Sequence, residues 1–341
     1  MASVLINYSE RSKKTMAIVE DIEREITARH RFLLTTHIHP DGDAIGSLLA
    51  MGFLLEYLGK EPVLFTEDPI PAQYLFLPGV AKITHGLPDL STIDACFVLD
   101  CGDSKRIGRV ASRLLEIKPI IVIDHHLGRD AFGDICWINP ESAAVGELVY
   151  HLIKATGADI SYNMAINIYV AILTDTGSFR YASTSSQTMR IAAEMIDLGV
   201  KPAWVLAMVY ENYSANRLRL LSAALSTLKT YYEGRVGLIS VSRDMLRATC
   251  TSIEDAEDFV NYPRSIAGVQ LAAIIKEIED GRFSVSLRSR DGINAARLAE
   301  KFGGGGHFNA AGFKGSGDQE TIKQELLSEI GNLMEKRAVG F

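Results

Sequence analysis

Short apolar runs alternate with longer helical patterns through the first half of the chain. Phe32–Thr36 (FLLTT), Pro62–Thr66 (PVLFT), Ala95–Asp100 (ACFVLD) and Pro119–Asp124 (PIIVID) each predict a strand. Ala44–Leu58 predicts a buried helix between the first two, and a charged helical segment separates the last two. This alternation predicts a parallel sheet wrapped by helices. Helical patterns then dominate, over Ala143–Thr156, Tyr162–Leu173, Gln187–Leu198, Ala203–Tyr210 and Ala215–Tyr231.

The texture changes after Gly234. Arg235–Ser242, Val269–Asp280 and Arg282–Arg290 read as strands. In the last, Phe283, Val285 and Leu287 face one way and Ser284, Ser286, Arg288 and Arg290 the other. A helix pattern, Asn294–Phe302, leads into four glycines, Gly303–Gly306. The expected architecture is α/β: a parallel-sheet domain over 1–190, a helical linker over 191–234, and a smaller α/β C-terminal domain over 235–341.

Composition narrows the function classes. The 341 residues suffice for two domains with real cores. The longest apolar stretch, Ala44–Leu55, is too short to span a bilayer, and the N-terminus lacks the pattern of a signal peptide. Cys96, Cys101, Cys136 and Cys250 form no framework, which fits reduced thiols and a cytoplasmic location. A formal net charge of −7 argues against a protein that grips long nucleic acid, and leaves room for a small anion held by local cations.

Candidate chemistry lies where the strands end. The first runs into HIHPDGD, which carries His37, Asp41 and Asp43; the third ends in Asp100; the fourth runs into Asp124, His125 and His126. Asp175 follows an apolar helical run. In a doubly wound sheet the carboxyl ends of the strands form the ligand crevice, so these residues should converge. Taken singly, Asp43 reads as a helix N-cap, and Asp100 and Asp124 as turn formers. The joint pattern, H-x-x-x-D-x-D after one strand, D after another and DHH after a third, is not what independent turn formers would produce. So many carboxylates together repel one another unless cations intervene. His37, Asp41, Asp43, Asp100, His125 and Asp175 offer nitrogen and oxygen but no thiolate. That set suits Mn²⁺ above Mg²⁺, Co²⁺ or Zn²⁺, and fits two ions sharing a bridging carboxylate, as used in phosphoryl chemistry. The glycine run, followed by His307 and small residues, suits close backbone approach, and its N–H groups could line an anion concavity.

Together, HIHPDGDAIGS, VLDCGDSKRIG, VIDHH and ILTDTGSFRY resemble the four motifs of the DHH phosphoesterases, and FGGGGHFNAAGF resembles the signature of the DHH-associated C-terminal domain. VSLRSR and YPRSIAGVQLAAIIKE fit as well, so the resemblance runs from about Ile18 to Phe313. It implies His37, Asp41, Asp43, His125 and Asp175 as metal ligands, Asp100 as the bridge, His126 facing the substrate phosphate, and Asp124 orienting the histidines. It further implies Arg264, Arg288, Ser289, Gly303, Gly304, Gly305, Gly306 and His307 as nucleotide contacts. His39 stands where relatives often carry Asn. The subgroup it points to cleaves very short RNA and dephosphorylates 3′-phosphoadenosine 5′-phosphate (pAp), using two divalent ions. Short oligoribonucleotides and small nucleotides are the expected partners, with no membrane; a homodimer is compatible with this reading. The rivals are a phosphodiesterase for linear or cyclic dinucleotides, a family II pyrophosphatase, which the glycine loop disfavours, and a nucleotide-binding regulator with an inert site.

Overall fold

The computed structural model describes residues 2–126, 132–290, 292–306 and 308–338, with side chains described between 15 and 334. The chain divides into two compact units, Met1–Asn212 and Tyr213–Phe341. The division falls within the 191–234 stretch.

The first unit contains α1 (Ala2–Ala28), β1 (Arg31–Thr35), α2 (Gly42–Tyr57), β2 (Glu61–Leu64), β3 (Ala95–Leu99), α3 (Ala111–Leu114), β4 (Ile120–Asp124), β5 (Ile135–Ile138), α4 (Val145–Ala155), α5 (Tyr162–Asp175), α6 (Ser186–Asp197) and α7 (Pro202–Tyr210). Its strands form one five-stranded sheet, in the order β2-β1-β3-β4-β5, and every pair is parallel. Successive strand residues point to opposite faces. Phe32, Leu34, Phe97, Leu99, Ile121 and Ile123 therefore join the core beneath α2, α4 and α5. Leu33, Cys96, Val98, Ile120 and Val122 join a smaller cluster with Phe65, Ile107 and Leu114 on the other face. The three central strands β1, β3 and β4 are adjacent, so their carboxyl ends lie side by side.

Small residues bring the helices close enough to complete the site. A Cβ at Gly46 would lie 2.4 Å from the Asn167 carbonyl of α5, and one at Gly146 would lie 2.5 Å from Ala171 Cβ. Neither position tolerates a larger side chain without separating α2, α4 and α5, whose ends carry Asp43 and Asp175.

The second unit contains α8 (Ala215–Ser226), β6 (Lys229–Tyr231), β7 (Val236–Val241), α9 (Arg243–Thr249), α10 (Asn261–Arg264), β8 (Leu271–Glu279), β9 (Arg282–Ser289), α11 (Ala295–Glu300), β10 (Gly305–Gly306), β11 (Ala310–Ser316) and α12 (Gln319–Ala338). Its six strands run β10-β11-β9-β8-β7-β6; β7 and β8 are parallel and the other pairs antiparallel. Phe283, Val285 and Leu287 of β9 pack with Leu298 and Leu326, as the alternation requires.

Some elements differ from the sequence reading. The helix expected over Ala215–Tyr231 stops at Ser226, and Lys229–Tyr231 becomes an edge strand antiparallel to β7. Tyr232, Glu233 and Gly234 all take positive φ, which reverses the chain into β7. Strand β5 is only four residues long, and β11 is built largely of alanine and glycine, so neither carries a strong strand pattern. Among the described residues no helix is long and apolar enough to cross a membrane.

Candidate metal centre

The first unit gathers the histidines and aspartates at the carboxyl edge of its sheet. Asp100 lies in the middle. It follows β3 directly, takes a left-handed φ of 54° and is 2% exposed. His37 comes from the neighbouring β1 side, with Nε2 3.5 Å from Asp100 Oδ2. His125 comes from the β4 side, with Nε2 3.7 Å from Asp100 Oδ1, 3.8 Å from Asp43 Oδ2 and 3.4 Å from Asp175 Oδ2. Three overlapping groups result: His37, Asp41 and Asp100; Asp43, His125 and Asp175; and Asp100, His125 and His126. In each, the candidate ligand atoms lie within 4.8 Å of one another.

The capping roles differ from the single-residue expectation. Asp41, not Asp43, is the N-cap of α2, and its Oδ1 accepts from the amides of Asp43 and Ala44. Asp43 is buried and caps a different helix. It accepts from Val145 N at 2.6 Å and Gly146 N at 2.9 Å, at the start of α4, and from Ser47 Oγ at 2.8 Å. The N-cap residue of α4 is Ala144, which has no side chain able to do this. One carboxylate thus ties two helices together while its Oδ2 faces His125.

Both ligand-type histidines are oriented through Nδ1. His37 Nδ1 lies 2.7 Å from the Ile38 carbonyl and His125 Nδ1 lies 3.0 Å from the Ser142 carbonyl, which turns each Nε2 toward the carboxylates. His126 differs. Its Nδ1 lies 2.6 Å from Asp124 Oδ1 and 3.5 Å from Asp100 Oδ1. Gly102 leaves room for this pair, since a Cβ there would lie 2.7 Å from Asp124 Oδ2.

The electrostatics shows what the cluster lacks. Burial first, then the neighbouring Asp43 and Asp41, raises Asp100 well above the carboxylate range. Burial likewise raises Asp43, and pushes Asp175 up to about 8 despite the opposing pull of His125. On His125, burial favours the neutral ring, but Asp175, Asp100 and Asp43 outweigh it and push the imidazole up to about 9. His37 is lowered, chiefly by burial, which suits a neutral nitrogen donor. Asp124 goes the other way: burial would raise it, yet its bond to His126 and the nearby histidine charges hold it low. Asp100 Oδ1 is buried without a hydrogen-bond partner among the described residues. Surplus buried carboxylate, neutral imidazole and an orphaned oxygen at the centre fit divalent cations.

The remaining predicted residues are placed as follows. His39 has an exposed side chain 3.3 Å from Asp68 and stands outside the three groups. In the second unit, Arg264 ends α10 and Arg288 lies on β9, both half-buried. Ser289 is turned inward, its hydroxyl donating to the Ile293 carbonyl at 2.6 Å, so it braces a turn rather than offering its side chain to a ligand. The glycine run does make a close backbone approach, but to its own sheet: a Cβ at Gly304 would lie 2.2 Å from the Gly312 carbonyl. The amides of Gly303 and Gly304 donate to the carbonyls of Glu300 and Ala299, which removes them from the anion concavity the sequence suggested. Gly305 and Gly306 form β10. His307 lies outside the described residues.

Sequence reasoning passed over Arg106, whose carbonyl accepts from Ile38 N at 2.7 Å and whose charge helps lower His37. It also passed over Glu147, which accepts from Ala143 N next to the Ser142 carbonyl that holds His125. Arg106 stood within a quoted motif; Glu147 looked like an ordinary helix residue.

Comparison with known proteins gives a consistent picture. The model of the DHH family, N-terminal domain, matches residues 31–174, and that of the DHHA1 domain matches 250–336. The chain is 32% identical to the bifunctional oligoribonuclease and PAP phosphatase NrnA of Thermus thermophilus, over 95% of this chain and 94% of that one. It is 25% identical to the Bacillus subtilis protein of the same description, over 86% and 91%. The crystal structure of an exopolyphosphatase-related protein from Bacteroides fragilis superposes with a TM-score of 0.86 at 30% identity, covering 94% of this chain and 96% of that one. On the matched domains and on near-complete coverage by these relatives, the chain belongs to the DHH family.

Proposed function

We propose that this DHH-family phosphoesterase hydrolyses very short oligoribonucleotides to mononucleotides and removes the 3′-phosphate of pAp. The observation that carries the reading is Asp100, a buried carboxylate shared by two of the three ligand groups. His37, Asp41 and Asp100 would hold one divalent ion; Asp43, His125 and Asp175 would hold a second, with Asp100 between them. Mn²⁺ suits these donors best. Two such ions would neutralise the cluster, polarise a phosphoester and activate water. The names of the NrnA relatives supply the substrate class.

The chain's own residues do the rest. Asp124 holds the Nδ1–H of His126, so Nε2 is the nitrogen that exchanges a proton with the leaving oxygen or stabilises its charge. Arg264 and Arg288 bind phosphate, joined by Gly305, Gly306 and His307 of the signature loop. The charge of −7 disfavours long polyanions, which limits useful substrates to short ones.

A panel with Mn²⁺ tests this: pAp, 5′-pApA, RNA from two to about twenty nucleotides, cyclic dinucleotides and pyrophosphate. We expect pAp and di- to tetranucleotides to be turned over best, with activity lost on chelation. A kcat/KM for the longest RNA equal to that for the dinucleotide, or full activity in excess EDTA after dialysis, overturns the reading.

A further inference from the structure

A turn beside the metal centre holds a cation that the reading above leaves unused. Ser104–Ile107 forms a short 3₁₀ turn a few residues after Asp100. It is fixed from several sides. Asp103 caps it, accepting from Lys105 N at 3.0 Å, and Ile107 is buried in the smaller cluster beneath the sheet. Gly108 follows with φ 115°, and a Cβ there would lie 2.4 Å from Glu67 Oε2. Glycine at this position lets Glu67 reach in to accept from Arg109 Nε at 2.7 Å and from Val110 N at 3.3 Å. The Arg106 carbonyl accepts from Ile38 N at 2.7 Å, which ties the turn to the loop between His37 and Asp41.

The three cations of this turn differ. Lys105 is exposed, and Arg109 is exposed and spent on Glu67. Arg106 is half-buried, and its guanidinium makes no hydrogen bond or ion pair among the described residues. A solvated arginine is ordinary on a surface. This one stands beside the candidate ligands: burial dominates the shifts of both His37 and Cys101, and the charge of Arg106 acts on each of them. Its backbone is anchored on both sides, so only side-chain torsions remain to be fixed when a ligand arrives.

The two proposed reactions differ in the oxygens such a cation meets. During transfer, charge spreads over the equatorial oxygens of the phosphoryl group. In a phosphomonoester all three are unesterified and together carry about two negative charges at neutral pH. In a phosphodiester one of them is bonded to the retained nucleoside and carries none. A pair of divalent ions clamps the attacking and leaving oxygens, so the extra anionic oxygen of a monoester calls for a donor from the protein. We infer that Arg106 is that donor, and that it sets how well the site uses a 3′-phosphomonoester relative to a dinucleotide. This rests on the proposed action on both substrates.

The test uses the full-length, metal-loaded protein with pAp and 5′-pApA. Arg106→Gln should lower kcat/KM about 10²-fold for pAp and only about threefold for 5′-pApA, with metal content and melting temperature as in the wild type. Arg106→Lys keeps the charge but not the fork, and should hold the loss on pAp to about tenfold; it gives the answer should the glutamine variant misfold. Lys105→Gln, the exposed neighbour, should change neither substrate by more than about twofold. Equal losses on the two substrates, no loss on pAp, or loss of metal from Arg106→Gln overturns the assignment. If the wild type turns over neither substrate, the functional reading fails, and calorimetric titration of the metal-loaded protein with inorganic phosphate still decides the role of Arg106. Binding about tenfold weaker in Arg106→Gln sustains it, and equal binding removes it.

Discussion

In the N-terminal unit the charged groups meet at the ends of parallel strands, mostly buried and mostly of one sign. In the C-terminal unit the candidate substrate contacts are two half-buried cations, Arg264 at the end of α10 and Arg288 on β9. The first arrangement is unfavourable by itself. Asp43, Asp100 and Asp175 are all pushed toward protonation by burial and by one another, and His125 takes up a proton to compensate. It becomes favourable once cations bind. The second arrangement needs no cation and, on the proposed function, offers its two guanidinium groups to an incoming anion. Damage to the first should therefore appear in metal content and kcat, and damage to the second in KM.

The largest effect tests the shared carboxylate. Asp100→Ala should abolish metal binding at both positions and lower kcat by roughly 10³-fold or more. Elemental analysis of the purified variant, beside turnover of 5′-pApA with added Mn²⁺, is the measurement. Near-normal metal content would mean Asp100 is not the bridge.

Next in size is the division of labour within DHH. His125→Ala should lower bound metal, because Nε2 of His125 faces three carboxylates. His126→Ala should retain metal and lose about 10²–10³-fold in kcat, because Asp124 holds its Nδ1 and the proposed function gives its Nε2 to proton exchange. Parallel metal loss in both variants would put the two histidines in the same role.

The contrast between the units also explains what the sequence disclosed. The site was legible because each candidate ligand sits within a few residues of a recognisable strand or helix end, and parallel topology forces such ends together. Asp43 shows the limit. Its place before an apolar helix suggested a cap on its own helix, while the structure makes it the cap of α4, a contact between residues about a hundred positions apart. Nothing local signals such a partner. The glycine run shows a second limit. Its composition announced close approach but not the partner, which at Gly304 is the backbone of β11.

A third, smaller effect lies in the C-terminal unit. Arg288→Ala should raise KM for dinucleotides about tenfold and leave metal content and the metal dependence of the rate unchanged. Saturation kinetics on two and four nucleotides would show it. A fall in kcat with KM unaltered would move Arg288 from binding to chemistry and blur the contrast between the units.

The smallest expected effects are in stability, and they should have opposite signs in the two units. Ser289→Ala removes a buried hydroxyl and leaves the Ile293 carbonyl without its donor, which should cost about 1 kcal/mol and lower the melting temperature of that unit by roughly 2–4 °C. Asp175→Asn should do the reverse in chelated protein. Asp175 has a folded pKa of about 8 against 3.8 in the unfolded chain, so the folded state binds the extra proton and stability falls as pH rises between those values. His125, pushed up from 6.5 to about 9, acts in the same direction, since the stability its proton contributes is lost as pH rises through that range. In EDTA the wild type should therefore melt lower at pH 8 than at pH 6, and Asp175→Asn should melt higher than wild type at pH 8 while binding less metal. Adding Mn²⁺ to the wild type should remove the pH dependence, because bound cations then balance the carboxylates. Thermal melts at the two pH values, with and without metal, read all of this in one series. A chelated wild type whose melting temperature is flat from pH 6 to 8 would show that the cluster is not short of positive charge, and the contrast between the two units would lose its physical basis.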